Sequence, residues 1–143
     1  GYFKEAEAVI KKAVKFGVNY FDTAPAYQQS RDYIGKFLWN YTKREKVFLA
    51  SKTHDRTYEG TLSLVEDSLE RLNTDYLDLL QLHDLREKEE LNEIFSDDGA
   101  IYALEELKKQ GKVRFLGITG HHDHDILIEA IKRYDFDTIL LCG

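Results

Sequence analysis

The chain has 143 residues, 43% of them hydrophobic, which suits one domain with an ordinary buried core. Its formal net charge of -6 comes from 26 acidic and 20 basic residues, and no long basic run occurs, so nucleic acid and anionic membrane are poor partners. The longest apolar run, near residues 139–142, is far too short to cross a bilayer. No charged-then-apolar leader opens the chain, so secretion is not expected. Its single cysteine, Cys142, cannot form an internal disulfide, which fits a reducing compartment, and the cytoplasm is the expected location. The sequence starts at Gly1, contains no methionine and stops within an apolar run, so a fragment cut at both ends is expected.

In chain order, residues 2–16 predict a helix, with Ala6, Ile10, Ala13 and Val14 on one face and Gly17 as its stop. Residues 18–21 predict a short strand leading to Asp22, and the only proline, Pro25, marks a turn before Tyr27 opens a helix near Gln28. The body of that second helix is expected over residues 32–41, with Tyr33, Ile34, Phe37, Leu38 and Tyr41 inward. Residues 47–50 predict a second strand running into Ser51 and Lys52. Residues 61–72 give the clearest helical period, through Leu62, Val65, Leu69 and Leu72. A third strand over 76–82 delivers His83. The charged stretch 84–97 reads as a surface excursion. A helix over 99–110, a strand over 113–118, a helix over 126–134 and a strand over 138–141 complete the pattern.

Strand and helix alternate throughout in units of roughly 30 residues, the size of a βα repeat. That pattern means a parallel sheet with helices outside it, and the strands read as apolar on both faces. The fold class is therefore α/β, either an open doubly wound sheet or part of an eight-unit barrel. Asp22-Thr23-Ala24-Pro25 stands where a glycine-rich phosphate loop would follow the first strand, which disfavours the open nucleotide-binding sheet. The expected architecture is a partial (β/α)8 barrel of about five units with parallel strands.

Asp22, Lys52 and His83 each fall at the C-terminal end of a successive strand, where a parallel barrel gathers its active site. Singly, each has a bland explanation: Asp22 as a loop acceptor, Lys52 as an exposed strand end, His83 as a satisfied core histidine, and Tyr27 as a packing tyrosine. Together they support proton chemistry. A free phenol titrates near pH ~10 and is a poor acid at neutral pH, but a neighbouring ammonium favours its phenolate. An aspartate would keep that ammonium charged and fixed, and a histidine could orient a substrate oxygen. Such a group can protonate a carbonyl oxygen while hydride arrives at carbon from a cofactor.

These residues lie in motifs that resemble the aldo-keto reductases, (β/α)8 barrels that use a nicotinamide cofactor, usually NADPH. Gly17-Val18-Asn19-Tyr20-Phe21-Asp22-Thr23-Ala24 with Tyr27 looks like the family's first signature, and Ser30, Ile34-Gly35 and Leu38 resemble the helix after it. Ala50-Ser51-Lys52-Thr53 resembles its lysine strand. Ser68-Leu69, Arg71-Leu72, Asp75-Tyr76-Leu77-Asp78 and His83 resemble the central signature, and Leu107-Lys108, Gly111-Lys112-Val113-Arg114 and Gly117 the run into the next strand. The resemblance covers residues 17–143. It implies reduction of a small-molecule aldehyde or ketone, with Tyr27 as proton donor, Lys52 and Asp22 as its tuning pair and His83 as substrate orienter. It also implies a nicotinamide site that includes Asp22 with Thr119 and Gly120; the family usually has Ser-Asn at 119–120. Arg31, beside Asp32, replaces the acidic residue usual after Ser30. By the same resemblance, residues 1–143 form a partial barrel domain, and the first strand, the last two strands and the loops for the cofactor's adenosine phosphate lie elsewhere.

Two other readings belong to different classes. One is a non-catalytic barrel that keeps a nicotinamide pocket as a regulatory or sensor subunit; the presence of all of Asp22, Tyr27, Lys52 and His83 argues against it. The other is a metal-dependent hydrolase, which lacks a His-x-His pair after the first strand. His121-His122-Asp123-His124-Asp125 looks metal-rich, but Asp123 is expected to cap the following helix instead, and no metal site is assigned. His54 and Asp55 follow Lys52 and read as a solvated loop at the same mouth. The 143-residue chain is expected to bind NADPH weakly by itself; a fluorescence titration that returned micromolar affinity would contradict this.

Overall fold

In the computed structural model, which describes residues 2–27 and 29–141, five parallel strands pair in sequence order and curl into a half-barrel with helices on the convex side. Gln28, the expected start of the second helix, and Cys142 lie outside the described residues. The elements are α1 (Tyr2–Lys15), β1 (Tyr20–Asp22), α2 (Ser30–Phe37), β2 (Phe48–Thr53), α3 (Tyr58–Leu72), β3 (Leu77–Leu82), α4 (Lys88–Ile94), α5 (Ala100–Lys109), β4 (Val113–Gly120), α6 (His124–Arg133) and β5 (Thr138–Leu141). Every sequence-adjacent strand pair is parallel, with registers such as Asp22↔Ala50, Lys52↔Gln81, Gln81↔Gly117 and Gly117↔Thr138.

One local device recurs where helix turns into strand. After α1, Val18 N–H donates to Ala13 O and Gly17 N–H to Val14 O, with Gly17 at φ +86°. After α3, Thr74 N–H reaches Leu69 O around Asn73 at φ +53°; after α5, Lys112 N–H reaches Leu107 O around Gly111 at φ +78°. Each is the paired closure that a left-handed residue permits at a helix end. The first explains why β1 starts two residues later than expected: the amide of Val18 is spent on the helix, and the ladder opens with Phe48 N–H donating to Asn19 O.

The convex face holds the core. Leu49, Leu80, Leu82, Leu116 and Ile118 pack there against Ile34, Phe37, Val65, Leu69, Leu104, Leu107 and Leu127 from the helices. The concave face is mixed, contrary to the expectation of strands apolar on both sides. Near the strand starts Tyr20, Phe48 and Phe115 stack in file, at 5.0 and 6.3 Å between ring centroids. Towards the strand ends Lys52, Gln81 and Thr119 are buried polar residues.

Other differences have identifiable reasons. α3 begins a turn early because Thr57 caps it, its hydroxyl accepting from Gly60 N–H at 3.1 Å. α2 gives way to a tight 3-10 turn at Leu38–Asn40, where Trp39 Nε1 donates to Leu72 O at 2.9 Å. β4 extends to Gly120, which places Thr119 within the sheet. The stretch 84–97 is not merely a surface excursion: it contains α4, and Leu85, Leu91 and Ile94 are fully buried. Gly35 lets α2 approach α3 closely, since a Cβ there would overlap the Arg71 carbonyl. Arg31 crosses the same seam and donates to Ser68 Oγ at 2.8 Å.

At the strand starts, Asp78 is only 2% exposed and accepts from Arg44 Nη2, Leu49 N–H and Arg114 Nη1, each at 2.8 Å. It thus ties the chain before β2, β2 itself and β4 to β3. Removing one partner of a buried pair typically costs about 3–5 kcal/mol. Asp78→Ala is expected to lose that much stability in urea unfolding, and Asp78→Asn, which keeps an acceptor, distinctly less.

Candidate active site

β1 and β2 bring the first pair together. The register Asp22↔Ala50 sets the aspartate beside the end of β2, and Thr23 N–H adds a bond to Ala50 O at 2.9 Å. Lys52 Nζ donates to both oxygens of Asp22, at 2.9 and 2.8 Å, and to Thr23 O at 3.1 Å. The lysine side chain is 2% exposed, so its ammonium is surrounded by oxygen acceptors in place of water.

Tyr27 arrives by a turn. Its N–H donates to Ala24 O at 3.0 Å across Pro25, whose fixed φ suits the second position of such a turn, and its own carbonyl accepts from Ser30 N–H at 3.0 Å. Thr23 Oγ1 donates to Ser30 Oγ at 2.8 Å and closes this loop onto α2. The Tyr27 ring then lies under the Lys52 ammonium, 4.7 Å from Nζ to its centroid, and meets the His83 ring edge-on at 6.0 Å. Tyr27 is 43% exposed, so a small molecule can reach its phenol. Asp22, Tyr27, Lys52 and His83 thus share one mouth at the strand ends.

His83 follows β3, its N–H held by Thr53 O at 2.9 Å. Burial first, and then the nearby Lys52 charge, push its imidazole below the usual value of 6.5. A neutral ring keeps one nitrogen as donor and the other as acceptor. Asp84, next in sequence, takes φ +56°, and its N–H donates to Thr119 Oγ1 at 2.8 Å. Burial alone would raise its carboxyl, but the hydrogen bond and charge of Arg86, with His121 and His122, hold it lower than usual.

The residues at 119–120 fit a nicotinamide carboxamide in part. Thr119 accepts from Asp84 and so retains its hydroxyl proton to donate. Gly120 offers backbone only; the space beyond it belongs to Leu127, whose Cδ2 would lie 2.9 Å from a Cβ at 120. Within the histidine run, Asp123 caps α6 as expected, accepting from Asp125 N–H at 2.9 Å, and the His121 and His122 rings meet edge-on. Near His54, the side chain of Asp55 accepts from Thr57 N–H and Oγ1 and is a structural turn former.

Sequence reasoning missed Arg56 and Glu90. Arg56 Nη2 donates to His83 O at 2.7 Å and pairs with Glu90 Oε2 at 2.8 Å. Their only sequence signal was the position of Arg56, four residues after Lys52, because Glu90 belongs to the unrecognised α4.

With the geometry in place, comparison with known proteins is informative. A family model described as the aldo/keto reductase family matches residues 2–140. L-galactose dehydrogenase of Arabidopsis thaliana is 37% identical over 125 residues, covering 81% of this chain and 38% of that protein. Glyoxal reductase of Bacillus subtilis is 35% identical over 131 residues, covering 88% of this chain and 45% of the relative. The solved holo form of an aldo-keto reductase from Bacillus halodurans superposes with a TM-score of 0.84 at 30% identity, over 99% of this chain and 49% of that one. The chain thus spans less than half the length of these two curated relatives, and its half-barrel corresponds to part of the (β/α)8 architecture.

The lowered His83 value sets a sign for pH dependence. The folded state disfavours the imidazolium, so the unfolded chain binds more protons below the usual histidine value. Stability attributable to His83 is therefore full above pH 6.5 and falls as pH drops through that value. His83→Gln is expected to flatten the loss of stability between about pH 7 and 5 in denaturant titrations, whereas an unchanged slope would contradict a neutral, desolvated ring.

Proposed function

The chain belongs to the aldo/keto reductase family, and from that premise we propose that it is the five-unit part of a barrel that reduces small-molecule aldehydes or ketones to alcohols with NADPH or NADH, NADPH being the expected cofactor. The observation that carries this reading is the meeting of Tyr27, Lys52, Asp22 and His83 at one mouth. Relatives named glyoxal reductase and, in Escherichia coli, methylglyoxal reductase support a small carbonyl substrate.

The geometry supports the following roles. Asp22 fixes the Lys52 ammonium over the face of the Tyr27 ring, a cation–π contact that holds the phenol in place at the mouth. Tyr27 gives its proton to the carbonyl oxygen as the C=O π bond breaks. His83, its imidazole neutral, donates its one N–H to the same oxygen and holds it towards the phenol. Thr119 would hold the carboxamide with its free hydroxyl proton. The hydride needed at the carbonyl carbon is the chemistry that a bound nicotinamide supplies, since no side chain can. No helix is long and apolar enough to cross a membrane among the described residues, and the proposed compartment is the cytoplasm.

In the complete barrel, Tyr27→Phe is expected to lower kcat by roughly 10²- to 10⁴-fold, the usual worth of a positioned acid, with cofactor Kd unchanged. Turnover close to the parental value in that variant would refute Tyr27 as the proton donor.

A further inference from the structure

His83 is fastened by more than its strand. Arg56 sits four residues beyond Lys52 in the loop between β2 and α3, with its side chain only 10% exposed. Its Nη2 donates to His83 O at 2.7 Å and lies 3.5 Å from Asp84 O, while Nη1 reaches Thr53 O at 3.5 Å. Glu90 Oε2 accepts from Nε at 3.0 Å and from Nη2 at 2.8 Å. The other oxygen of Glu90 accepts from Arg86 N–H and Glu87 N–H, each at 3.0 Å, at the head of α4.

The backbone of Arg56 is held as well. Its carbonyl accepts from Ala100 N–H at 2.9 Å, and Thr57 bridges to Gly99. The guanidinium therefore projects from a fixed loop into the bend at the end of β3. That bend needs support: Asp84 is a non-glycine residue in the left-handed region, which side chains other than glycine adopt at a cost. Thr119 Oγ1 holds the Asp84 amide on one side, and Arg56 holds the carbonyls on the other.

We propose that the Arg56–Glu90 pair is a positioning clamp for His83, fixing the carbonyl of residue 83 so that the imidazole is aimed at Tyr27 and at the substrate oxygen. The inference rests on the reductase reading for its kinetic consequence but not for its geometry. A planar fork suits this task because it can serve a carbonyl and a carboxylate at once, which a lysine ammonium on a flexible stem does less rigidly. The ionisable groups acting on the ring are Lys52, Asp84, Arg56 and His54.

The test pairs NMR of the 143-residue chain with kinetics of the complete barrel. In Arg56→Gln, ring-to-ring NOEs between Tyr27 and His83 are expected to weaken and the His83 titration midpoint to rise, since a nearby positive charge is gone. Arg56→Lys, which keeps the charge, should restore the midpoint but only part of the NOE intensity. In the complete barrel, Arg56→Gln should lower kcat by up to about 100-fold, the cost of a small misplacement, with cofactor Kd unchanged. If Arg56→Gln does not fold, Glu90→Gln carries the NOE and kinetic measurements, with weakened NOEs and lowered kcat expected, because it keeps the acceptor for the α4 amides and removes the charge holding the guanidinium. Wild-type NOEs and midpoint in the folded variant would overturn the clamp. A wild-type barrel without carbonyl reduction would instead overturn the functional reading and leave the NMR result to decide the clamp.

Discussion

An ammonium in an almost fully buried position is the constraint around which the mouth is arranged. Lys52 is satisfied there because Asp22 presents both carboxylate oxygens and Thr23 its carbonyl, all from β1 and the loop that follows. Removing Asp22 would leave the buried lysine without its main complement, the costliest kind of change, whereas Asp22 itself stays partly open to solvent. The pair therefore fixes where β1 ends, and the turn at Pro25 and the Tyr27 ring lying over Nζ follow from that point. A cation held against the face of an aromatic ring is a directional contact and a favourable one. The chemical group and the local fold are thus stabilised by the same few atoms.

The rest of the sheet presents this arrangement in layers. Aromatic rings stack in file where the strands begin, and polar side chains gather where they end. Asp78 and its two arginines lock the strand starts, while Lys52 with Asp22 and Arg56 with Glu90 lock the strand ends. Charge is placed at both rims and the aliphatic core lies between the sheet and its helices. This division lets the mouth carry buried ionisable groups without weakening the packing that holds the strands in register.

Much of this was legible in the sequence, for physical reasons. The βα alternation shows because a sheet covered by helices needs apolar strands, and each helix needs one apolar stripe. Gly17 and Gly111 marked helix ends because the left-handed closure favours glycine; Asn73 does the same work and was less conspicuous. Asp22, Lys52 and His83 could be placed at a common rim because each ends an apolar run. What stayed hidden was tertiary. In α4, Leu91 and Ile94 provide too short an apolar stripe to stand out among Glu87, Lys88, Glu89 and Glu90. The partnership of Arg56 with a carbonyl 27 residues away leaves no periodic trace. The late start of β1 depended on one backbone amide being claimed by the preceding helix.

The contact at Gly35 carries a broader meaning. At this one point no side chain intervenes and α2 rests backbone against backbone on α3, so their separation there cannot be tuned by exchanging one core residue for another. α2 in turn anchors, through Ser30, the loop that bears Tyr27. The height of the phenol above the rim is thus referred to a rigid seat on the outside of the barrel rather than to the loops that surround it. Those loops are free to vary in length and chemistry while the phenol keeps its place, so the shape of the mouth and the position of the phenol can diverge independently.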